Sequence, residues 1–563
     1  MSSESTVFRR ILGIWDGHDA GAALVEDGRV VAAVSEERFT RIKRQGGFPV
    51  HSVAEVLRLG GCGVSDIEGI AVAGQQGRLP ARVFDMSYQR MDPGQVDPLS
   101  SASRAYAGYQ NHIAGLPVIR RLEDWGSQFM LSRRLAHLGF QNAHLQLIDH
   151  HIAHAATAIA ALETSARPAL VVTMDGYGDG RSVTVWRYDT EGAHLLYAAG
   201  ANASFALLYG ALTRQLGFRE GEEGKLTGLS ARATGQRNLN LRPFLSQEKG
   251  ALQLDRTRAF ATLKRAHDDG VAEADLAHAL QSSLEEAVVA FIKVYLRRTG
   301  LRNLAVSGGL FANVALNGRL AALDLASFAV APAMTDQGLC VGAALQMAGQ
   351  THASPMPHIR LGSPIDGNEV DPAQIAQLLA NGDVIGVARG AMEFGPRALG
   401  CRSILFDPRN PALAKRLGER LKRESFMPFG PILCDQDYNS MFDIPRARID
   451  RSSREMTLAI PVSSEMQELA PSAIHVDGTA RPQVVDENED PWLHEVLTHF
   501  RGLTRCPMLV NTSFNRHREP IVRSGREALD SALAIGLDAV VIGGELQRFE
   551  QPPIGHQAQG AQL

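Results

Sequence analysis

The run Asp149-His150-His151-Ile152-Ala153-His154 carries two histidines four residues apart. On a helix, residues four apart share a face, so His150 and His154 can point two imidazoles at one cation. The run follows a strand-like stretch, His144 to Ile148, and leads into an alanine-rich helix, Ala155 to Leu162. Carboxylates near glycine, such as Asp175 and Asp336, could complete an octahedral or five-coordinate shell. An isolated pair of this spacing is also what a capped helix with surface histidines presents, so the reading depends on the company the motif keeps.

Four clusters in the C-terminal part supply that company. Met392 to Ile404 places Arg397 and Arg402 around a Gly-Pro turn, and Lys422-Arg423-Glu424 follows a helical pattern. His475 to Arg481 is a turn ending in a basic residue, and Leu509 to Asn515 is a strand running into Asn511, Thr512, Ser513 and Asn515. Arginine forks grip phosphate bidentately, and lysine adds a point charge. Hydroxyl and amide side chains satisfy the remaining oxygens. Together the clusters point to a pocket for a small phosphorylated molecule. From Arg389 to Glu424 there are nine basic and four acidic side chains, a local excess in an acidic protein. A solvated helix face would read the same on charge alone.

Positioning these groups requires strands that end in turns. The first such unit runs from Arg10 through Asp16-Gly-His18-Asp19, a turn at Glu26-Asp27-Gly28, and a third strand from Arg29. A second runs from Ala169 through Asp175-Gly-Tyr-Gly-Asp179, a turn at Asp189 to Gly192, and a strand from His194. Each is strand, Asp-Gly turn, strand, tight turn, strand. This internal duplication resembles the core of the actin-like ATPase superfamily, whose nucleotide lies between the copies. Helical patterns cover Ser52 to Leu59, Val118 to Leu138 and Ala274 to Thr299. Ser307-Gly308-Gly309 to Asn313 reads as strand, glycine turn and helix start, and Asp336-Gln337-Gly338 opens another helix. Helix N-termini freed by glycine turns bind anions through unpaired N–H groups.

The length of 563 residues suits several domains, and the composition is that of an ordinary globular protein. A formal charge of −4 gives no reason to expect nucleic acid or an anionic membrane as partner. Cys62, Cys340, Cys401, Cys434 and Cys506 have no CxxC spacing, which argues against a disulfide scaffold and suits a cytoplasmic setting. No apolar run approaches the ~20 residues that span a bilayer, and Met1 to Arg10 lacks a signal-peptide core.

The motifs, taken in order, resemble those of the bacterial O-carbamoyltransferases of nodulation-factor and antibiotic-tailoring type. The matching runs are Gly17 to Ala20, Ser35 to Arg41, Asp149 to His154, Glu223-Gly224-Lys225, Ser307 to Gly309 with Asn313, Met392 to Ser403, His475 to Arg481 and Asn511 to Asn515. The chain departs from the family pattern at Cys401, Met427 and Gly430. The resemblance implies an α/β protein of two domains. Residues 1–352 would form a duplicated actin-like carbamoyl-transfer domain and 353–369 a linker. Residues 370–551 would form an α/β YrdC-like domain for carbamoyl phosphate and ATP, followed by a disordered tail, 552–563.

The resemblance also implies a reaction. Carbamoyl phosphate and ATP, with Mg2+, give carbamoyl-adenylate, pyrophosphate and phosphate. A hydroxyl of a small natural product, in antibiotic or other secondary metabolism, then takes the carbamoyl group and AMP leaves. A metal held by His150, His154 and Asp336 is iron(II) by resemblance, though imidazole plus carboxylate suits zinc or manganese as well. Lys225, Gly308, Gly309 and Asn313 are carried over as nucleotide contacts, and Arg402, Lys422, Arg481, Asn511 and Ser513 as carbamoyl-phosphate contacts. Asp16 and His18 sit where an acceptor hydroxyl could approach, with His18 the candidate general base. His151 is expected to be a neighbour of the metal and not a ligand.

Three other readings compete. A tRNA threonylcarbamoyl-type transferase would call for a large basic face. A non-catalytic actin-like nucleotide-binding regulator has no need of a C-terminal phosphate pocket, and a sugar or acetate kinase has no use for the HxxxH helix. The acceptor's identity and the oligomeric state are not legible. The loops from Gln75 to Gln110 are where an acceptor pocket is expected.

Overall fold

The computed structural model describes residues 8–76, 78–83, 109, 113, 116–235, 239–349, 356, 358–449, 452 and 454–550. Most of the 75–110 stretch and the whole 551–563 tail lie outside the described residues. The chain divides into two compact units, Met1–Ile359 and Arg360–Leu563, both of mixed α/β structure.

The first unit holds two five-stranded sheets. β1 (Arg10–Trp15), β2 (Gly21–Glu26), β3 (Arg29–Ser35), β4 (Gly69–Ala73) and β5 (His144–Ile148) lie in the order β3-β2-β1-β4-β5. The first three form an antiparallel meander, and β4 and β5 run parallel to β1. β6 (Ala169–Gly178), β7 (Arg181–Asp189) and β8 (Gly192–Ala199) form a second meander, followed in the chain by a hairpin, β9 (Leu245–Glu248) and β10 (Ala251–Leu254). β11 (Asn303–Ser307) and β12 (Ser327–Val330) then join β6 in parallel, giving β8-β7-β6-β11-β12. The two sheets have the same strand order and directions, so the duplication visible in the sequence is a duplication of topology, the actin-like arrangement. The expected helices are present as Val50–Leu59, Pro117–His137 and Glu273–Thr299.

Three helices position the chemistry of this unit: α1 (His150–Ala160), α2 (Val314–Ala321) and α3 (Leu339–Ala348). α1 starts directly after β5 because the Asp149 carboxylate caps it, accepting from the backbone N–H of His151 (2.9 Å) and Ile152 (3.0 Å). Alanine then carries it onward with little rotamer cost. The helix is buried nearly all round, because it packs against both α3 and the second sheet. The helix pair is unusually close. A Cβ on Gly342 of α3 would lie 1.9 Å from the Ala153 carbonyl oxygen. Thr157 Oγ1 bonds both Ala153 O (2.9 Å) and Gly338 O (3.1 Å), tying α1 to the start of α3.

The second unit is built on a seven-stranded mixed sheet. Its strands are β13 (Arg360–Ile365), β14 (Ile385–Ala388), β15 (Gly390–Glu393), β16 (Arg402–Phe406), β17 (Gly430–Cys434), β18 (Ile460–Pro461), β19 (Thr479–Ala480), β20 (Gln483–Val485), β21 (Met508–Ser513), β22 (Ala539–Ile542) and β23 (Glu545–Arg548). The main sheet runs β20-β17-β21-β16-β14-β22-β23, with β13–β15 and β18–β19 as separate pairs. Helices Pro372–Ala380 and Pro491–Thr504 pack on each other, each with proline at its first turn and a capping aspartate, Asp371 and Asp490. The stretch read as a linker, 353–369, contains β13. Gly362 and Pro364 hide the alternation there, and the register with β15 shifts between Arg360 and Pro364. No helix among the described residues is long and apolar enough to cross a membrane.

Candidate metal centre and candidate anion pocket

In the first unit, His150, His154, Asp175 and Asp336 bring one donor atom each within 4.8 Å of one another. The histidines come from the first turns of α1, Asp175 from β6, and Asp336 from the turn before α3. His150 Nε2 lies 3.2 Å from Asp175 Oδ2 and 3.7 Å from Asp336 Oδ1, and His154 Nε2 lies 3.5 Å from that same Asp336 oxygen. His154 is fully buried, and its Nε2 has no hydrogen-bond partner. Its Nδ1 faces Ser307 Oγ at 3.3 Å, and the serine donates its own proton to the Met334 carbonyl. Nδ1 therefore carries the imidazole proton, and Nε2 presents a bare lone pair to the cluster, as a metal-ligating histidine must. Gly178 makes room for the His150 ring, since a Cβ there would lie 2.3 Å from its Cγ.

The electrostatics call for a cation. Burial works against a charged His150, but Asp336 and Asp175 outweigh it and push the imidazole up to about 9. Burial alone would raise Asp175, yet the histidines, His150 foremost, hold it well below the usual carboxylate range. Two imidazoles and two carboxylates around one point fit a borderline divalent ion such as iron(II), zinc or manganese. Asp175, which sequence reading named only as a possible completion, stands beside the other three. His151 is not part of the cluster. Its Nδ1 bonds Thr173 Oγ1 at 2.7 Å in the interior.

His18 borders this centre, with Nε2 3.4 Å from Asp336 Oδ2 and Nδ1 3.1 Å from Asp19 Oδ2. Its side chain is 42% exposed, the most open group of the cluster. Desolvation opposes its charged form, but Asp336 and Asp19 raise it. Asp16, two residues before His18, has its carboxylate engaged by arginines. Its carboxylate is bound by Arg82 Nε (2.8 Å) and Arg78 (3.1 Å), and these arginines overcome burial to bring it down to about 2. A carboxylate so held anchors arginines and accepts no proton near neutrality.

The expected nucleotide contacts separate into two groups. Gly308 and Gly309 lie against the metal cluster. Gly308 has φ 107°, and a Cβ on it would be 2.2 Å from Met174 O. Gly309 N donates to Asp175 Oδ1 at 2.8 Å, so it holds a candidate metal ligand. Asn313 is committed elsewhere. Its Oδ1 caps α2 through Leu316 N (3.1 Å), and its amide pairs with Gln281 through bonds of 2.8 and 3.0 Å. Those bonds hold Asn313, expected as a nucleotide contact, at the start of α2. Lys225 pairs with Glu222 at 3.0 Å and lies over the Phe218 ring.

The second unit holds a different kind of site. Arg397 is close enough to depress Arg423, and both depress Arg481, while no carboxylate among the described residues pairs with the three. Burial brings Arg397 down to about 10, burial and Arg397 do the same to Arg423, and burial with both neighbours takes Arg481 well below its ordinary value. The Nε atoms of Arg397 and Arg481 are buried without partners. Desolvating several like charges costs several kcal/mol per ion on the order given by transfer arguments, so this cluster is organised for an anion. The loop presenting Arg397 is held by Glu393, whose Oε1 accepts from Leu399 N and Cys401 N at 2.7 Å. Arg423 is fixed by bonds to Met427 O (2.9 Å) and Pro428 O (2.6 Å) and stacks on Phe429.

Two of the expected contacts differ sharply in burial. Arg402 is fully buried and donates to the carbonyls of Ser363, Arg389, Gly390, Cys401 and Arg523. Its donors are spent on the backbone. Lys422 is exposed, and its neighbour Arg423 takes the inward place. Asn511 is 1% exposed and bonds Ala398 O, next to Arg397. Ser513 is half-buried at the end of β21. Arg397 and Arg423 both stood in motifs already quoted, but nothing in a one-dimensional pattern tells which of two basic neighbours faces inward.

A family described as "Carbamoyltransferase N-terminus" matches residues 10–345, and "Carbamoyltransferase C-terminus" matches 376–548. The chain belongs to the carbamoyltransferase family. Nodulation protein NolNO of Sinorhizobium fredii is 30% identical over 94% of this chain and 78% of its own length. Nodulation protein NolO of Bradyrhizobium diazoefficiens is 30% identical over 71% and 79%. Among solved structures, HypF of T. kodakarensis superposes with a TM-score of 0.36 at 14% identity, covering 61% of this carbamoyltransferase and 48% of HypF. The protein is an enzyme of carbamoyl transfer.

Proposed function

We propose that this carbamoyltransferase uses carbamoyl phosphate and ATP to make carbamoyl-adenylate in its second unit, and carbamoylates a hydroxyl of a small natural product at the first. The cluster of Arg397, Arg423 and Arg481, with no carboxylate partner among the described residues, is the observation that carries the reading. Guanidinium forks hold the phosphate of carbamoyl phosphate while water releases carbamate and inorganic phosphate. A carbamate oxygen then attacks the α-phosphorus of ATP, and pyrophosphate leaves. In the transfer step the acceptor oxygen forms the new C–O bond, its proton passes to His18 Nε2, and AMP departs with the carbamoyl C–O electron pair. Asp19 orients His18 through Nδ1.

His150, His154, Asp175 and Asp336 would hold the metal, which supplies Lewis acidity and a template for the adenylate's oxygens. Gly309 fixes Asp175, and Ser307 fixes the His154 tautomer. The test is a product analysis with full-length enzyme, ATP and carbamoyl phosphate. Expected are pyrophosphate, phosphate and AMP, with a hydroxylated acceptor gaining about 43 Da once the site is supplied with metal. Formation of ADP in place of pyrophosphate would replace this reading with a kinase.

A further inference from the structure

The helix Pro117–His137 is held by one face and leaves the other uncovered. Glu123, Gly126, Ser127, Leu131 and Leu135 are buried. Gly126 sits close against Leu79, where a Cβ would lie 2.7 Å from Leu79 Cδ2, and the Glu123 carboxylate accepts from the Tyr109 hydroxyl. The outer face carries large apolar groups. Val118 is 71% exposed, Leu122 55%, Trp125 69% and Phe129 50%. They recur four, three and four residues apart, which makes one stripe with the spacing of a coiled-coil seam. The Trp125 and Phe129 rings stack with centroids 5.9 Å apart, and the Arg133 guanidinium lies over the Phe129 ring at 5.9 Å. A contiguous apolar stripe of this kind marks an interaction surface, and aromatic and arginine side chains are the usual anchors of one.

Charge decides what fits it. Arg120, Arg121 and Arg133 are exposed on the helix, whereas both of its acidic residues are withdrawn, Glu123 buried and Asp124 half-buried. Arg121 stands three and four residues from Val118 and Trp125, and Arg133 four from Phe129, so both flank the seam. A second copy docked on the same face would set arginine against arginine, with no exposed carboxylate of the helix to answer it. A bilayer surface calls for a broad apolar face, and this seam is narrow, with exposed Gln128 beside it and Ser132 at its end.

We propose that the outer face of Pro117–His137 docks an acidic amphipathic helix of a partner protein. The partner's apolar stripe would lie on Val118, Leu122, Trp125 and Phe129, and its carboxylates on Arg121 and Arg133. None of these residues belongs to the metal cluster or the arginine cluster, so the inference stands apart from the proposed reaction.

Fluorescence anisotropy of a synthetic acidic helix, with leucine at both seam positions and glutamate on either side, titrated with the full chain tests this. Binding is expected to be at least about tenfold tighter than for the same peptide with lysine in place of glutamate, and to weaken as salt is raised. Trp125→Glu should lower affinity for the acidic peptide about 30-fold or more, the scale of a lost interface anchor. Arg121→Glu combined with Arg133→Glu should turn the preference towards the lysine peptide, a change that misfolding does not produce. Both variants should melt with the wild-type enzyme and keep its Co2+ affinity. No binding of either peptide, equal binding of the two, or undiminished binding by Trp125→Glu overturns the inference. So do wild-type dimers in sedimentation that Trp125→Glu dissolves, which give the face to a second copy. Trp125-dependent binding to phosphatidylglycerol vesicles in place of the peptide overturns it as well, by giving the face to a membrane.

Discussion

His150 links protonation to metal binding. Its imidazole is raised from its ordinary 6.5 to about 9 by carboxylates that would otherwise face a cation. A raised value means the proton stabilises the metal-free fold fully below about 6.5, and that stabilisation is lost as pH climbs through about 9. A cation must displace this proton, so its affinity should rise about tenfold per pH unit until about 9 and then level off. Titrating Co2+ into metal-free protein between pH 6 and 10 measures this, and thermal melts of the same protein should fall across that range. A flat affinity profile would mean that His150 is not a ligand.

At this scale the sequence was uneven. HxxxH and Asp336 were legible because helical spacing and a glycine turn state geometry directly. The pairing of Asp16 with Arg78 and Arg82 was not legible, because the partners lie more than sixty residues away in the chain. Arg402 lies deep and Lys422 exposed, a difference the sequence did not show. Burial of a basic residue is set by strands that are distant in sequence, here β16, β17 and β21, and no local pattern reports it.

The elements explain why α1 can carry a metal site at all. Its two candidate-ligand histidines are placed to a fraction of an ångström only if α1 cannot slide on α3, and the contact that prevents sliding is Gly342 against Ala153. Gly342→Ala should push the helices apart, costing about 1–3 kcal/mol as overpacked cores do. Because the shift falls between Asp336 and the histidines, cobalt affinity should drop more than tenfold, while anion binding in the second unit stays unchanged. Denaturant melts and Co2+ titration read the two effects separately. Asp149→Ala is the control. It removes a helix cap worth about 1 kcal/mol and should lower stability without the same loss of metal affinity. The strand-turn-strand duplication was readable in sequence because the tight turns announce themselves. The β13 edge strand was not, because Gly362 and Pro364 erase its alternation.

For the whole molecule, each unit is complete in one kind of chemistry. The first gathers imidazole and carboxylate donors around one point, and the second gathers guanidinium groups with no carboxylate partner among the described residues. If activation and transfer are separate steps, single substitutions should divide the activity. Arg481→Ala removes a desolvated member of the arginine cluster, so carbamoyl-phosphate-dependent pyrophosphate release should fall about 100-fold or more, as for lost charged donors in a dry site. Its metal content should stay at the wild-type level. His154→Ala should reverse the pattern. Pyrophosphate release continues, metal affinity drops by about 10–100-fold or more, and transfer to the acceptor stops. Measuring pyrophosphate, bound metal and carbamoylated product on both variants gives a two-by-two outcome. A protein with one merged site would lose pyrophosphate release in both variants, and the division of labour between the units would then be wrong even if the overall reaction were right.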